Sequence, residues 1–125
     1  MAQQDKKTVL IVEDNRLNMK LESDLLEING FNILKATCGK DALDLLSGSV
    51  PNLILLDIRL PDINGLELFK KIRQDLRLSA VKIVAVTASV TKEDEDEIKK
   101  SGFDGFIAKP IDIKDFVRQI KEKLG

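Results

Sequence analysis

Five residues in this chain could do chemistry together: Glu13, Asp14, Asp57, Thr87 and Lys109. Each directly follows a short apolar run or the residue after one: VLIV at residues 9–12, LILL at 53–56, IVAV at 83–86 and FIA at 106–108. Taken singly, each has a plainer role. An acid after a strand often caps the next helix, and a lone Asp before a loop is often a turn residue. A Thr can simply end a strand, and a lone lysine is usually a solvated surface group. Brought to one rim, they present three carboxylates, a hydroxyl and an ammonium, a surplus of about two negative charges that a divalent cation would neutralise. Oxygen donors in a chain without histidine favour a hard ion, and Mg²⁺ commonly takes one or two carboxylates and keeps waters. A cation held there would orient a phosphoryl donor against the Asp57 carboxylate, a nucleophile of the kind that forms aspartyl phosphates. Lys109 would balance charge on the equatorial oxygens, and the Thr87 hydroxyl would bond one of them after transfer.

Those residues need elements to place them. The runs named above are apolar throughout, as expected of strands buried on both faces of a parallel sheet. A further run at residues 33–36 contains Lys35 and is expected at an edge. Between the runs the period becomes helical. Leu17, Leu21, Leu25 and Ile28 mark a first helix face, with Gly30 placed to end it in a left-handed cap. Ala42, Leu45 and Leu46 mark a second helix closing near Gly48. Leu66, Phe69 and Ile72 mark a third, with Asn64 as N-cap and Glu67 three residues on. Residues 91–100 make a fourth, in which Thr91 and Asp94 form a capping box and Ile98 is the lone apolar residue. Ile113, Phe116, Val117, Ile120 and Leu124, capped by Asp112, form the last.

Strand–helix alternation calls for a parallel sheet with right-handed crossovers and helices on both faces. The expected fold is α/β, a single doubly wound (βα)5 flavodoxin-like domain whose five-stranded parallel sheet has the order 2-1-3-4-5. In such a sheet the working crevice lies beyond the carboxyl ends of the strands, which would put all five groups on one rim. Lys109-Pro110 follows the last strand, and Pro110 is a candidate for a cis bond there.

Composition bounds the rest. A length of 125 residues suits one domain, here residues 8–125 after a polar segment at 1–7. Hydrophobic residues make up 43% and charged residues 33%, and 20 basic against 21 acidic side chains give a net charge of −1. That balance offers no pull toward nucleic acid or anionic membrane. No apolar run is long enough to span a bilayer, and the single cysteine, Cys38, fits a reducing compartment, so a cytoplasmic protein is expected. The alternative on the same sheet is a flavodoxin-like small-molecule or nucleotide binder. Its first loop would need glycines or hydroxyls to cradle a phosphate, but here that loop reads EDNRLN. A hydrolase working through an aspartyl phosphate would need an inserted lid, which the chain lacks.

VLIVEDN at 9–15, LILLDIRLPDINGLEL at 53–68, VAVTAS at 84–89 and GFIAKPI at 105–111, in that order, resemble bacterial response-regulator receiver domains over nearly the whole chain. The resemblance implies Asp57 as phosphoacceptor in two-component signalling, with Glu13, Asp14 and the Arg59 backbone carbonyl joining Asp57 around Mg²⁺. It gives Thr87 and Lys109 the phosphoryl-contacting roles and makes Thr87 and Phe106 a switch pair, although Phe106 alone would read as a core aromatic. Arg59 and Ser89 fall where the family varies and tunes the lifetime of the phosphoryl group. Expected partners are a sensor histidine kinase or histidine phosphotransfer protein and a regulated kinase or other protein target, with the chain itself a monomer or weak homodimer. It would be no enzyme beyond its own phosphorylation and dephosphorylation. The fourth helix, fifth strand and last helix would form the phosphorylation-sensitive face, because the fourth helix is the least firmly held. Within the family, the wording VEDNRLNMKL and TASVTKEDEDEIKKSGFDGFIAKPI is similar to single-domain regulators of cell division.

Overall fold

The apolar runs form the strands of one sheet in this computed structural model, which describes residues 6–88 and 91–125. The strands are β1 (Thr8–Val12), β2 (Asn32–Ala36), β3 (Leu53–Asp57), β4 (Lys82–Thr87) and β5 (Gly105–Ala108). All pair in parallel, in the order β2-β1-β3-β4-β5 that the alternation predicts. β2 lies at an edge, with Lys35 exposed. The helices are α1 (Arg16–Ile28), α2 (Gly39–Gly48), α3 (Gly65–Arg73), α4 (Lys92–Ser101) and α5 (Ile113–Leu124). A one-turn 3₁₀ helix, Leu76–Leu78, precedes β4. Ser89 and the first five residues of the polar N-terminal segment lie outside the described residues.

Successive side chains of a strand point to opposite faces, so the apolar runs feed two cores. Val9, Ile11, Leu53, Leu55, Val84, Val86 and Ile107 pack against Met19 and Leu26 of α1 and Phe116 and Ile120 of α5. Leu10, Val12, Ile54, Leu56 and Ile83 pack against Ala42 and Leu46 of α2 and Leu68, Phe69 and Ile72 of α3. Helix ends are capped as their residues dictate. Asn15 accepts from the Asn18 N–H, Asn64 from Leu66, Thr91 from Asp94, and Asp112 from Lys114 and Asp115. Gly30 has φ +92°, the left-handed conformation expected after α1.

Two apolar stripes are placed differently from the sequence reading. On α1, Leu17 and Ile28 are 79% and 81% exposed, whereas Met19, Glu22, Ser23 and Leu26 are buried. The Asn15 cap and the short connection from β1 fix the helix rotation. They turn Met19 and Leu26 into the core and take two polar residues in with them. On α5, Ile113 is exposed because it sits in the first turn, ahead of the point where Phe116 and Ile120 reach the sheet.

α4 is the outlier among the helices. Among the described residues Ile98 alone is buried on it, and that side chain belongs to neither main core. Its C-terminal end is held better. Phe103 stacks on Phe69 of α3 with ring centroids 4.1 Å apart. Asp104 accepts from Arg73 at 3.0 Å and from the Ile83 backbone N–H at 2.8 Å.

Candidate functional site

Strand alternation assembles the rim. Glu13 continues the face of Val9 and Ile11, Asp57 that of Leu53 and Leu55, and Lys109 that of Ile107. All three therefore emerge on the α1/α5 face. The sheet ladder runs on past the strand ends and holds them in register. The Glu13 N–H bonds the Ala36 carbonyl at 3.0 Å, Ile58 bonds Val86 at 3.2 Å, and Lys109 bonds Thr87 at 2.9 Å. Thr87, at the end of β4, follows Ile83 and Ala85 and so lies on the opposite face, buried beside α4. A groove of about 660 Å³ there is lined by Ile58, Leu60, Thr87, Glu97 and Ile98.

Lys109 bridges two carboxylates. Its Nζ lies 2.9 Å from Asp57 Oδ2 and 2.5 Å from Glu13 Oε1. Asp57 Oδ1 accepts the Arg59 N–H at 2.9 Å, and Glu13 Oε2 accepts the Asn15 N–H at 3.1 Å. Asp14 is exposed at the mouth, and one oxygen from each of Glu13, Asp14 and Asp57 falls within 4.8 Å of the others. The Lys109–Pro110 peptide is cis. Phe106 is half-buried on the face opposite Ile107, the same face as Thr87.

A fourth carboxyl went unread in the sequence. Glu22, 1% exposed on the buried face of α1, reaches Glu13 from beneath the rim, and its Oε2 finds no hydrogen-bond partner among the described residues. Burial, reinforced by the charge of Glu13, pushes its carboxyl up to about 8. Burial also raises Glu13, outweighing its bond to Lys109. Burial works against the Lys109 ammonium too, but its bonds to Glu13 and Asp57 more than offset this and hold it charged. These shifts share one cause: too much negative charge in too little water. Helical period would have placed Glu22 between Met19 and Leu26, but a polar residue is discounted when a stripe is read from leucines.

An all-oxygen donor set, an orphaned buried carboxylate oxygen and an uncompensated charge fit a hard divalent cation such as Mg²⁺. Glu13, Asp14 and Asp57 are the side chains placed to hold it. A preformed anion would be repelled by the same groups unless a cation intervened.

The comparisons with known proteins agree with this geometry. The family model of the response regulator receiver domain matches residues 9–121. The polar-differentiation response regulator DivK of Brucella ovis is 44% identical over 119 residues, covering 95% of this chain and 97% of its own. A CheY-like response regulator receiver domain protein from Methanospirillum hungatei superposes with a TM-score of 0.88 at 32% identity, covering 96% of this chain and 94% of its own. The chemotaxis response regulator CheY4 of Vibrio cholerae, at 23% identity, shares the fold with a TM-score of 0.89 over 95% of this chain and 99% of its own.

Proposed function

This chain belongs to the response regulator receiver domain family, and from that premise we propose that it is a phosphorylation switch that accepts a phosphoryl group on Asp57. The observation that carries the reading is the triangle of Asp57, Glu13 and Lys109 at one strand-end rim, with Asp14 at its mouth. Asp57 is 5% exposed at the strand-end rim, so charge that develops on it during transfer is met by fixed groups rather than screened by water.

Glu13, Asp14, Asp57 and the Arg59 backbone carbonyl would hold Mg²⁺, whose charge offsets that of the incoming phosphoryl oxygens. An Asp57 carboxylate oxygen attacks phosphorus, and the bond from phosphorus to the donor's leaving atom breaks as the new O–P bond forms. With a phosphohistidine donor the freed imidazole nitrogen takes up a proton. The Lys109 ammonium already touches Asp57 and moves with the developing charge onto a phosphoryl oxygen. In hydrolysis a water attacks the phosphorus, the O–P bond to Asp57 breaks, and inorganic phosphate leaves with the carboxylate restored; on this reading the chain catalyses its own phosphorylation and dephosphorylation and nothing else. Thr87 then turns its hydroxyl to another phosphoryl oxygen, and Phe106 fills the space on the α4 side that Thr87 leaves. The donor is a sensor histidine kinase or a histidine phosphotransfer protein, and the signal passes to a regulated kinase or another protein. Its single cysteine supports a place in the cytoplasm, and its likeness to DivK supports a role in cell division or the cell cycle.

The test is direct. Incubated with Mg²⁺ and a small phosphodonor, the protein should gain one phosphoryl group, located by mass spectrometry on Asp57. Asp57→Asn should fold but take up none, because an amide is a poor nucleophile. Mg²⁺-dependent labelling that persists in folded Asp57→Asn would remove the assignment.

A further inference from the structure

One carboxylate in the loop that follows Asp57 is bonded to α2 and is not used by the reaction above. Asp62 Oδ1 accepts the Gly39 N–H at 2.8 Å, and Oδ2 accepts the Lys40 N–H at 2.9 Å. The first turn of a helix leaves N–H groups without partners, and the N-cap residue of α2, Cys38, makes no side-chain cap bond. Asp62 supplies that cap from the loop between β3 and α3. The same two N–H groups hold its carboxyl below the usual range, with the Gly39 bond the larger cause. Contact is as tight on the other side. A Cβ added to Gly39 would overlap Ile63 Cγ2, so the loop tip rests directly on the helix start.

The base of this loop is the site. Arg59 bonds Asp57 through its N–H at 2.9 Å and pairs with Asn64 as an isolated antiparallel bridge. The Gly65 N–H closes on the Ile58 carbonyl at 2.8 Å. Gly65 permits this closure, because a Cβ there would stand 2.5 Å from Ile58 Cα and 2.7 Å from the Asp57 carbonyl oxygen. Residues 58–65 therefore form a short closed hairpin with its tip on α2 and its base on Asp57. A hairpin cross-linked in this way has little slack, so displacement of the tip reaches Arg59.

We propose that Asp62 is a positioning residue for the phosphoacceptor site: it clamps the tip of the β3–α3 loop to the start of α2 and so fixes the Arg59 carbonyl against the metal-binding carboxylates. The inference rests on the reading of Asp57 and Mg²⁺ given above. Groups that orient metal ligands commonly cost about 10–100-fold in affinity or activity when lost.

A plain helix cap would affect stability alone, and Mg²⁺ affinity separates the two roles. Asp62→Ala and Gly39→Ala disturb the same contact from opposite sides, and Asp62→Asn keeps an oxygen acceptor for one of the two N–H groups. Asp112→Ala serves as control, since it removes the cap of α5 without touching the loop. Mg²⁺ is titrated by amide chemical shifts without phosphodonor, and exchange of the Gly39 and Lys40 amides reports the clamp. Initial phosphorylation rates are read in parallel. Asp62→Ala and Gly39→Ala should weaken Mg²⁺ about tenfold, with Asp62→Asn between them and wild type. Asp112→Ala should lose stability yet stay within about twofold of wild type in Mg²⁺ affinity. Folded Asp62→Ala and Gly39→Ala proteins, or Asp62→Asn and Gly39→Ala should Asp62→Ala not fold, that bind Mg²⁺ as wild type does would overturn the proposal. Wild type that binds Mg²⁺ but takes up no phosphoryl group would instead refute the proposed function, leaving the Mg²⁺ comparison to decide on Asp62.

Discussion

Glu22→Gln should stabilise this protein at neutral pH and leave it unchanged near pH 4.5. The wild-type carboxyl is buried, without a hydrogen-bond partner for Oε2 among the described residues, and raised from 4.5 to about 8. In the unfolded chain the same group ionises near its ordinary value, so between those two pH values the folded state binds more protons than the unfolded state. Stability therefore falls as pH rises through this window and levels off above the folded value. One pKa unit corresponds to about 1.4 kcal/mol, so by pH 7 the loss from this residue is on the order of 3 kcal/mol. Glutamine keeps the shape and an N–H donor toward Glu13 but cannot ionise, so the variant should escape the loss. Urea denaturation of both proteins in EDTA, at intervals from pH 4.5 to 8.5, reads the effect as a difference in stability that opens with pH. Parallel curves, with the same difference at every pH, would show that Glu22 titrates at the same pH in the folded and unfolded chain and would refute the reasoning.

Two further outcomes follow from the proposed switch. Thr87→Ala should accept the phosphoryl group at a rate near wild type but bind its partner weakly, measured as partner affinity with and without phosphorylation. Turning a population from mostly off to mostly on takes about 5.5 kcal/mol, a charge-assisted bond supplies about 1.5–3 kcal/mol, and Lys109 alone does not reach that total. Hydrogen exchange should be fastest across α4 and change most there on phosphorylation, because a single buried Ile contributes only about 1.5–3 kcal/mol of packing; slow, unchanged exchange over residues 91–100 would count against it.

The fold was legible because β and helical periods alternate without ambiguity, and because Asn64, Thr91, Asp112 and Gly30 carry their cap chemistry in their residue types. The rim was legible because a strand end is a topological address: once Asp57 ends β3 and Glu13 follows β1, parallel pairing alone makes them neighbours. What the sequence hid lies off that address. Glu22 is polar on a helix whose leucines suggest another face, and the rotation that buries it is set by the Asn15 cap and the short connection from β1 rather than by the leucine pattern. Asp62 is an ordinary turn residue in the chain, and its bonds to Gly39 and Lys40 cross from one βα unit to another. The clamp of Asp104 on Arg73 and β4 is hidden for the same reason. Contacts between units depend on how helices settle on the sheet, and no periodicity within one unit carries that information.

The acid cluster also explains why a site can be costly to the fold and still be kept. Glu13 and Asp57 share one close ammonium, Asp14 adds its charge at the mouth, and Glu22 lies buried beside Glu13. Without a cation, folding must either protonate these groups or hold like charges together. A ligand that binds only the folded state returns stability according to its concentration over Kd, about 2.7 kcal/mol at a hundredfold excess. That is the order of the loss assigned to Glu22 at pH 7. Mg²⁺ at such an excess over its Kd would offset a loss of that order, making the folded state most secure when it is also competent to react. α4 stands outside this balance, since its one buried anchor, Ile98, lies on the opposite face beside Thr87. On the proposed reading, the groups that would bind the cation are separated from the helix that would move, so the cation would tighten the site without freezing the switch.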